Sequence, residues 1–198
     1  MRKTRHVAAR RGSFFVVAGP SGSGKTTLLA DVRRRMPDLI YSPSYTSRAL
    51  RPGETPSQNY HFLSRTDFEQ MIERDEFLEW AIYNGNYYGM SRHHVQSFLR
   101  QGKNVIKEIE VQGMKQLNKK RRAIGGELVS IFILPPSLAE LKRRLSNRGT
   151  ESQAKLRQRL KTAQTELKAV ELFDYLLINR DQTQASDALA RLISWHSA

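Results

Sequence analysis

The sequence predicts an α/β fold in which a parallel β-sheet carries helices on both faces. An apolar run from Phe14 to Ala18 is typical of a buried strand, and an amphipathic helix pattern around Leu28 and Leu29 follows it. From Val95 onward, strand and helix patterns alternate to the end of the chain. Such alternation favours a parallel sheet, because each parallel connection needs a long crossover that is usually a helix.

The turn between the first strand and its helix fits the phosphate-binding pattern G-x-x-x-x-G-K-[ST] at every fixed position. Its residues are Gly19, Pro20, Ser21, Gly22, Ser23, Gly24, Lys25 and Thr26. Glycines let successive backbone N–H groups face one phosphate, and the helix adds its positive N-terminal end. Lys25 is placed to reach the terminal phosphates and Thr26 to ligate Mg²⁺. The flanking strand and helix favour a P-loop NTPase-type nucleotide site over a glycine-rich turn without a ligand.

Composition limits the class of protein. The chain has 198 residues, 39% of them hydrophobic, which predicts one compact unit. It has no cysteine, so disulfides and thiolate chemistry are excluded. No apolar run approaches the roughly 20 residues of a membrane span, and we expect a cytoplasmic protein with no membrane partner. The net charge of +14 predicts weak nonspecific attraction to RNA, and no specific nucleic acid is expected.

The patterns divide the chain into one core with two insertions and a basic N-terminal tail at residues 1–11. The core is expected at about 12–41, 95–145 and 170–198. Residues 42–94 are rich in Tyr, Arg, Asn and Gly and predict a mixed α+β substrate-binding lobe, and residues 146–169 predict a helical lid. Helices are expected to open at capping boxes at Thr66–Glu69 and Ser137–Glu140, and Asn84–Asn86 predicts a turn. His93 and His94 are expected at the surface.

Seven segments together resemble guanylate kinase, a nucleoside monophosphate kinase, from about Gly12 to the last helix. They are GPSGSGKTTLL from Gly19, SRALRPGE from Ser47, FLEWA from Phe77, GNYYG from Gly85, VQG from Val111, LPPS from Leu134 and RRLSNRGTES from Arg143. The glycine-rich motif is shared by many families, whereas the segments in the first insertion are much more specific. The resemblance implies transfer of the γ-phosphoryl group of Mg²⁺-ATP to GMP, and to dGMP.

The resemblance also implies a GMP site, formed mainly by the first insertion. Its residues are Ser44, Arg48, Arg51, Tyr60, Glu79 and Tyr88, with Glu108 and Glu110 from the core. Two guanidinium groups and two phenols suit a phosphate dianion. Guanine presents N1–H and the N2 amino group as neighbouring donors, and a carboxylate accepts from both. Adenine has an acceptor at N1, so Glu79 is interpreted as the residue that reads the base.

The catalytic residues that the resemblance implies are cations. They are Lys25, Arg48, Arg144, Arg148 and Arg159. Phosphoryl transfer spreads charge over equatorial oxygens, so converging cations supply most of the catalysis. Contacts to ATP are implied for the eight-residue motif, for Thr27 and for Asn179. Thr26 is expected to bind Mg²⁺, with Glu110 as a candidate for an indirect contact.

The chain departs from the family pattern at several positions. Glu110 stands where the family usually has Asp, and Lys107 replaces an apolar residue. Met90 stands where a Ser or Thr close to guanine is usual, and Pro43 and Arg180 also differ. Two other readings stay open besides the kinase, Met90 and Glu110 giving weight to the first of them, and the oligomeric state also stays open. One is a kinase of another small phosphate ester such as a ribose bisphosphate. The other is a non-catalytic protein-binding module.

Overall fold

The computed structural model describes residues 10–55, 60–146 and 153–197. Its strands are β1 (Ser13–Ala18), β2 (Ile40–Tyr41), β3 (Ser44–Thr46), β4 (Tyr60–Phe62), β5 (Phe77–Tyr83), β6 (Asn86–Ser91), β7 (Val105–Glu108), β8 (Glu127–Leu134) and β9 (Tyr175–Ile178). Its helices are α1 (Lys25–Arg35), α2 (Arg65–Glu73), α3 (Arg92–Arg100), α4 (Val111–Lys119), α5 (Leu138–Ser146), α6 (Gln153–Leu167) and α7 (Gln182–Ser197). Across these described ranges, no helix is both long and apolar enough to span a bilayer.

The central sheet has five parallel strands in the order β2-β7-β1-β8-β9. All six residues of β1 are buried, because helices cover both faces of the sheet. Phe14 and Val16 pack with residues of α3 and α4, whereas Phe15 and Val17 pack with residues of α1 and α7. This alternation in the central strand explains its continuous apolar sequence. The predicted α/β fold class is confirmed.

The strand order places a cleft at one edge of this sheet. β1 has β7 on one side and β8 on the other, and Val17 aligns with Glu108 of β7. In open α/β sheets, ligands bind outside the carboxyl ends of the strands, where the connections leave in opposite directions. The glycine-rich loop that follows β1 and the acidic end of β7 therefore meet at this edge.

The first insertion forms a second sheet with the order β4-β3-β6-β5. The predicted turn between β5 and β6 is confirmed, with Asn84 at φ 48° and Gly85 at φ 75°. Two left-handed residues in a two-residue loop give the turn a twist that matches a hairpin. The short strand β3 was not predicted, and it pairs in parallel with β4. On α2, Phe68 stacks between Phe77 and Tyr87, with ring centres 4.4 and 5.1 Å away, and fixes this helix on the sheet.

Some local predictions need correction. The capping box at Thr66 is wrong, because Ser64 caps α2 and its Oγ accepts a 3.0 Å hydrogen bond from Asp67 N. The second box is confirmed in part, since Ser137 Oγ accepts from the backbone N of residue 140 at 3.1 Å. His93 is exposed as expected, but His94 is half-buried beside the rings of residues 61 and 98. The polar sequence at residues 150–153 predicts a loop; residues 150–152 lie outside the described residues, and Gln153 is instead the first residue of α6.

The corrected cap of α2 can be tested by mutation. Ser64→Ala removes the acceptor for Asp67 N, and we expect it to lower the free energy of unfolding by about 1 kcal/mol. Thr66→Ala is the matched control and should change stability by less than about 0.5 kcal/mol, since Thr66 lies inside the first turn. Urea titrations of both variants measure the difference. A larger loss for Thr66→Ala than for Ser64→Ala would contradict the assigned cap.

Candidate functional site

A cleft of about 790 Å³ lies between the glycine-rich loop, the ends of β1 and β7, and the second sheet. Fifteen of the residues predicted for the site line it. They are Gly19, Ser21, Gly22, Gly24, Lys25, Thr26, Thr27, Ser44, Arg48, Arg51, Tyr60, Glu79, Tyr88, Glu108 and Glu110. Pro20 and Ser23 are buried within the loop itself. Arg148 lies outside the described residues. The fold thus brings residues of the core and of the first insertion, from several separate stretches of the sequence, to one cleft.

The glycine-rich loop is held by close contacts that need glycine. Gly24 has φ 95°, and a Cβ built on it would lie 2.3 Å from Asn179 Nδ2. The same Nδ2 donates to Ser23 O at 2.8 Å. Asn179 is buried and lies behind the loop, so its amide stabilises the loop conformation. This structural role adds to the ATP contact that the sequence predicted for it.

The Lys25 ammonium lies over the same loop. Nζ donates to Gly19 O at 2.6 Å and to Pro20 O at 3.2 Å. It also lies 3.8 Å from Glu108 Oε1. Burial lowers the pKa of Lys25, and the nearby Glu108 carboxylate opposes that shift. The chain therefore positions one cation where the loop turns toward the cleft.

The acid beside the candidate metal ligand is Glu108, whereas the sequence pointed to Glu110. Thr26 Oγ1 donates to Glu108 Oε2 at 3.2 Å. Glu110 instead precedes α4 as its N-cap residue, although it still lines the cleft. In the described ranges, no three His, Cys, Asp or Glu side chains are grouped to hold a metal ion. A hydroxyl next to one carboxylate fits Mg²⁺, which takes one or two carboxylates together with substrate phosphates and water.

Arg48 is paired with an acid that the sequence reasoning did not single out. Its two terminal nitrogens each donate to a carboxylate oxygen of Glu54 at 2.6 Å, and Arg51 N donates to the same carboxylate at 2.9 Å. The Arg48 guanidinium lowers the pKa of Glu54 to about 2. The guanidinium carbon also lies 4.9 Å from the ring centre of Tyr60. Glu54 is the last residue of the segment SRALRPGE, and its place in that segment could have marked it as a residue of the site.

Glu79 on β5 forms the opposite wall of the cleft. Its carboxylate lies against α4 at Gly113, where a Cβ would come within 2.9 Å of Glu79 Oε2. Burial raises the pKa of Glu79 to about 7; Lys107 works against that shift and Glu110 adds to it. Sequence reasoning missed the part played by Gly113, although the VQG segment contains it. Lys107 also lines the cleft.

Of the predicted catalytic arginines Arg144, Arg148 and Arg159, the first and the last lie in the described residues. Arg159 on α6 donates from Nη2 to Ser21 Oγ at 2.5 Å. Arg144 on α5 donates to Glu140 Oε1 at 2.8 Å and to Asn179 O at 3.1 Å. Lys25 and Arg159 thus contact the loop directly, whereas Arg144 contacts Asn179 behind it.

Comparison with known proteins agrees with this geometry. The family model for guanylate kinase matches residues 11–196. The chain belongs to the guanylate kinase family. A guanylate kinase of Synechococcus sp. (strain JA-3-3Ab) is 44% identical over 185 residues, which cover 93% of this chain and 83% of that protein. One of Rubrobacter xylanophilus is 44% identical over 184 residues, covering 93% and 94%.

A solved structure supports the same family at the level of the fold. The crystal structure of guanylate kinase from Anaplasma phagocytophilum superposes with a TM-score of 0.72 at 28% identity, covering 95% of this chain and 87% of that one. The resemblance seen in the sequence is therefore confirmed over nearly the whole chain. Members of the guanylate kinase family carry out ATP-dependent phosphoryl transfer, which generally needs a divalent metal ion.

The environment of Glu79 predicts an unusual titration. We expect its side-chain carboxyl to titrate near pH 7 by ¹³C NMR, with Glu79→Gln assigning the signal. Lys107→Met should raise this pKa further, because it removes a cation that favours the carboxylate. A Glu whose pKa is raised by folding destabilises the folded state as the pH rises from the unfolded value to the folded one. Glu79→Gln should therefore gain stability over the parent between pH 4.5 and pH 7. Titration near pH 4.5 would contradict the burial of this group.

Proposed function

We propose that this chain transfers the γ-phosphoryl group of Mg²⁺-ATP to GMP or dGMP, giving ADP and GDP or dGDP. The observation that carries the proposal is the single cleft, which joins the Lys25 loop to the Glu79 wall. A triphosphate site alone does not select an acceptor. A carboxylate on the facing wall, with two arginines and two tyrosines lining the same cleft, is suited to a guanine nucleotide.

On the donor side, the residues of the loop bind and orient ATP. Backbone N–H groups at the start of α1 and the Lys25 ammonium face the β- and γ-phosphates. Thr26 and Glu108 would hold Mg²⁺, which neutralises developing phosphate charge when it is bound. Arg144, Arg148 and Arg159 are proposed to add positive charge around the equatorial oxygens.

On the acceptor side, the second sheet is proposed to serve as the GMP lobe at about residues 42–94. Arg48, Arg51, Tyr60 and Tyr88 bind the phosphate, and Glu79 accepts from guanine N1–H and N2. The attacking phosphate oxygen is already anionic near neutral pH, so no general base is needed. Residues 146–169 are proposed to close as a lid and exclude water, which would otherwise compete as the acceptor.

A coupled assay of ADP release tests this function. We expect turnover with GMP and dGMP, and much lower kcat/KM with AMP, UMP, ribose phosphates and ribose bisphosphates. Chelation of Mg²⁺ with EDTA should abolish turnover, and added Mg²⁺ should restore it. Preferred use of a sugar phosphate would support the alternative kinase, and absence of turnover with every acceptor would support a binding module.

Removal of the loop cation should abolish transfer without unfolding the protein. We expect Lys25→Ala to lower kcat by at least roughly 10²-fold, because the charge acts on the transferring phosphoryl group. Lys115→Ala on α4 is the control, since Lys115 is an exposed lysine on another helix. Both variants should unfold at the temperature of the parent. Near-parental turnover by Lys25→Ala would contradict the assignment of residues 19–26 as a phosphate-binding loop.

The contact between Glu79 and α4 gives a second test. Gly113→Ala places a methyl group 2.9 Å from Glu79 Oε2, so the carboxylate must move. We expect the KM for GMP to rise roughly tenfold while the KM for ATP stays unchanged, since a charge-assisted hydrogen bond to the base is weakened.

The same substitution should not destabilise the helix, because Ala is a better helix former than Gly. Gln112→Ala is the matched neighbour and should leave both KM values unchanged, as Gln112 is exposed. An unchanged KM for GMP in Gly113→Ala would mean that binding of the guanine base does not depend on the position of the Glu79 carboxylate.

A further inference from the structure

Lys107 is a charged residue in the interior of the central sheet. It is only 4% exposed and follows the buried Val105 and Ile106 on β7. Its Nζ donates to Ser42 O at 2.7 Å and lies 4.9 Å from the ring centre of Tyr41. Burial lowers its pKa to about 8. An ammonium carries three N–H donors, and burying one to bind a single carbonyl is an unfavourable way to join β7 to the residue that follows β2.

The ammonium of Lys107 is close enough to the second sheet for its charge to act on Glu79 of β5 and His61 of β4. Neighbouring residues of a strand point to opposite faces, so Lys107 shares the face of Val105, which packs with residues of α3 and α4. Glu108 points the other way and reaches Thr26 and Lys25. Lys107 and Glu79 both line the cleft, and they are close enough for the charge of each to affect the pKa of the other.

Lys107 and Glu79 influence each other without touching. Each favours the charged form of the other. The Lys107 ammonium therefore opposes the rise that burial causes in the pKa of Glu79, and the Glu79 carboxylate opposes the fall that burial causes in the pKa of Lys107. Between these two described residues, however, no ion pair or hydrogen bond is formed. An ammonium and a carboxylate that face one cleft at a distance leave room for a polar group of a ligand between them.

Guanine has three polar groups along one edge, and Glu79 can form hydrogen bonds with only two of them. O6 is an acceptor, whereas N1–H and the N2 amino group are donors. A carboxylate accepts from the two donors, so O6 needs a separate donor. Met90 lies opposite Glu79 on β6, is fully buried in the apolar core, and has a thioether that cannot donate.

We propose that Lys107 Nζ donates a hydrogen bond to guanine O6, next to the Glu79 carboxylate. The inference rests on the proposed function and adds a specificity-determining residue to it. Lys107 selects a 6-oxopurine and Glu79 selects the 2-amino group. Adenine would turn its 6-amino donor toward the ammonium, leaving two donors face to face, which a buried site rejects.

The test replaces single atoms of the acceptor. In 6-thio-GMP a sulfur, which accepts only weakly, replaces O6, while N1–H and N2 stay. IMP keeps O6 and lacks the N2 amino group. We expect the parent protein to use 6-thio-GMP with kcat/KM about tenfold or more below GMP. In Lys107→Met, kcat/KM should fall roughly 10- to 100-fold for GMP and by the same factor for IMP, but less than about threefold for 6-thio-GMP.

Ratios of kcat/KM within one preparation do not depend on the fraction of folded protein. Lys107→Gln, with a neutral N–H donor, should fall between the parent and Lys107→Met. Lys115→Met, at an exposed position, should change none of the ratios. If Lys107 only joins β7 to Ser42, its variants will lower GMP and 6-thio-GMP use equally, which overturns the proposal.

The parent protein alone also gives a decisive result. Equal kcat/KM for GMP and 6-thio-GMP would mean that no donor reads position 6 of the base, and the proposal would be wrong. Absence of GMP phosphorylation by the parent would instead refute the proposed function itself. The two failures are therefore distinguishable, since the first occurs in an active guanine nucleotide kinase.

Discussion

The structure depends on how closely the glycine-rich loop approaches its surroundings. A Cβ on Gly19 would lie 2.3 Å from Ile133 O on β8, and one on Gly22 would lie 3.0 Å from side-chain atoms of Leu141 on α5. These contacts require β8 to lie next to β1 and α5 to pack over the loop. The strand order of the central sheet thus requires glycine at these positions, and the glycines in turn fix where the loop lies.

The sequence predicted the features that are encoded over short stretches of chain. The strand at Phe14–Ala18 is buried on both faces, so its apolar run needs no knowledge of its partners. The loop motif is contiguous, so it could be found without knowledge of the fold, and six of its eight residues line the cleft. Local pattern failed at α2, because Ser64 and Thr66 each stand three residues before an acid and only the backbone decides which one is the cap.

Long-range features of the site could not be read in this way. Whether Glu108 or Glu110 meets Thr26 depends on where β7 ends, because Glu108 is the last residue of the strand whereas Glu110 is already the N-cap of α4. The bidentate contact of Glu54 with Arg48 depends on the path of a loop without regular structure. The amide of Asn179 reaches Ser23 across 156 residues of chain, so no local pattern contains that contact. Side chains that are this far apart in the sequence become partners only when the sheet is assembled.

The pairing of Arg48 with Glu54 has a consequence for how an anion enters the cleft. Two charge-assisted hydrogen bonds at 2.6 Å already occupy the edge of the guanidinium, formed by its two terminal nitrogens, that would suit a phosphate. An incoming phosphate would have to approach through the remaining donors or displace the carboxylate. An anion that enters this part of the cleft therefore competes with Glu54 for Arg48, and a dianion competes better than a singly charged anion because its attraction to the guanidinium is stronger.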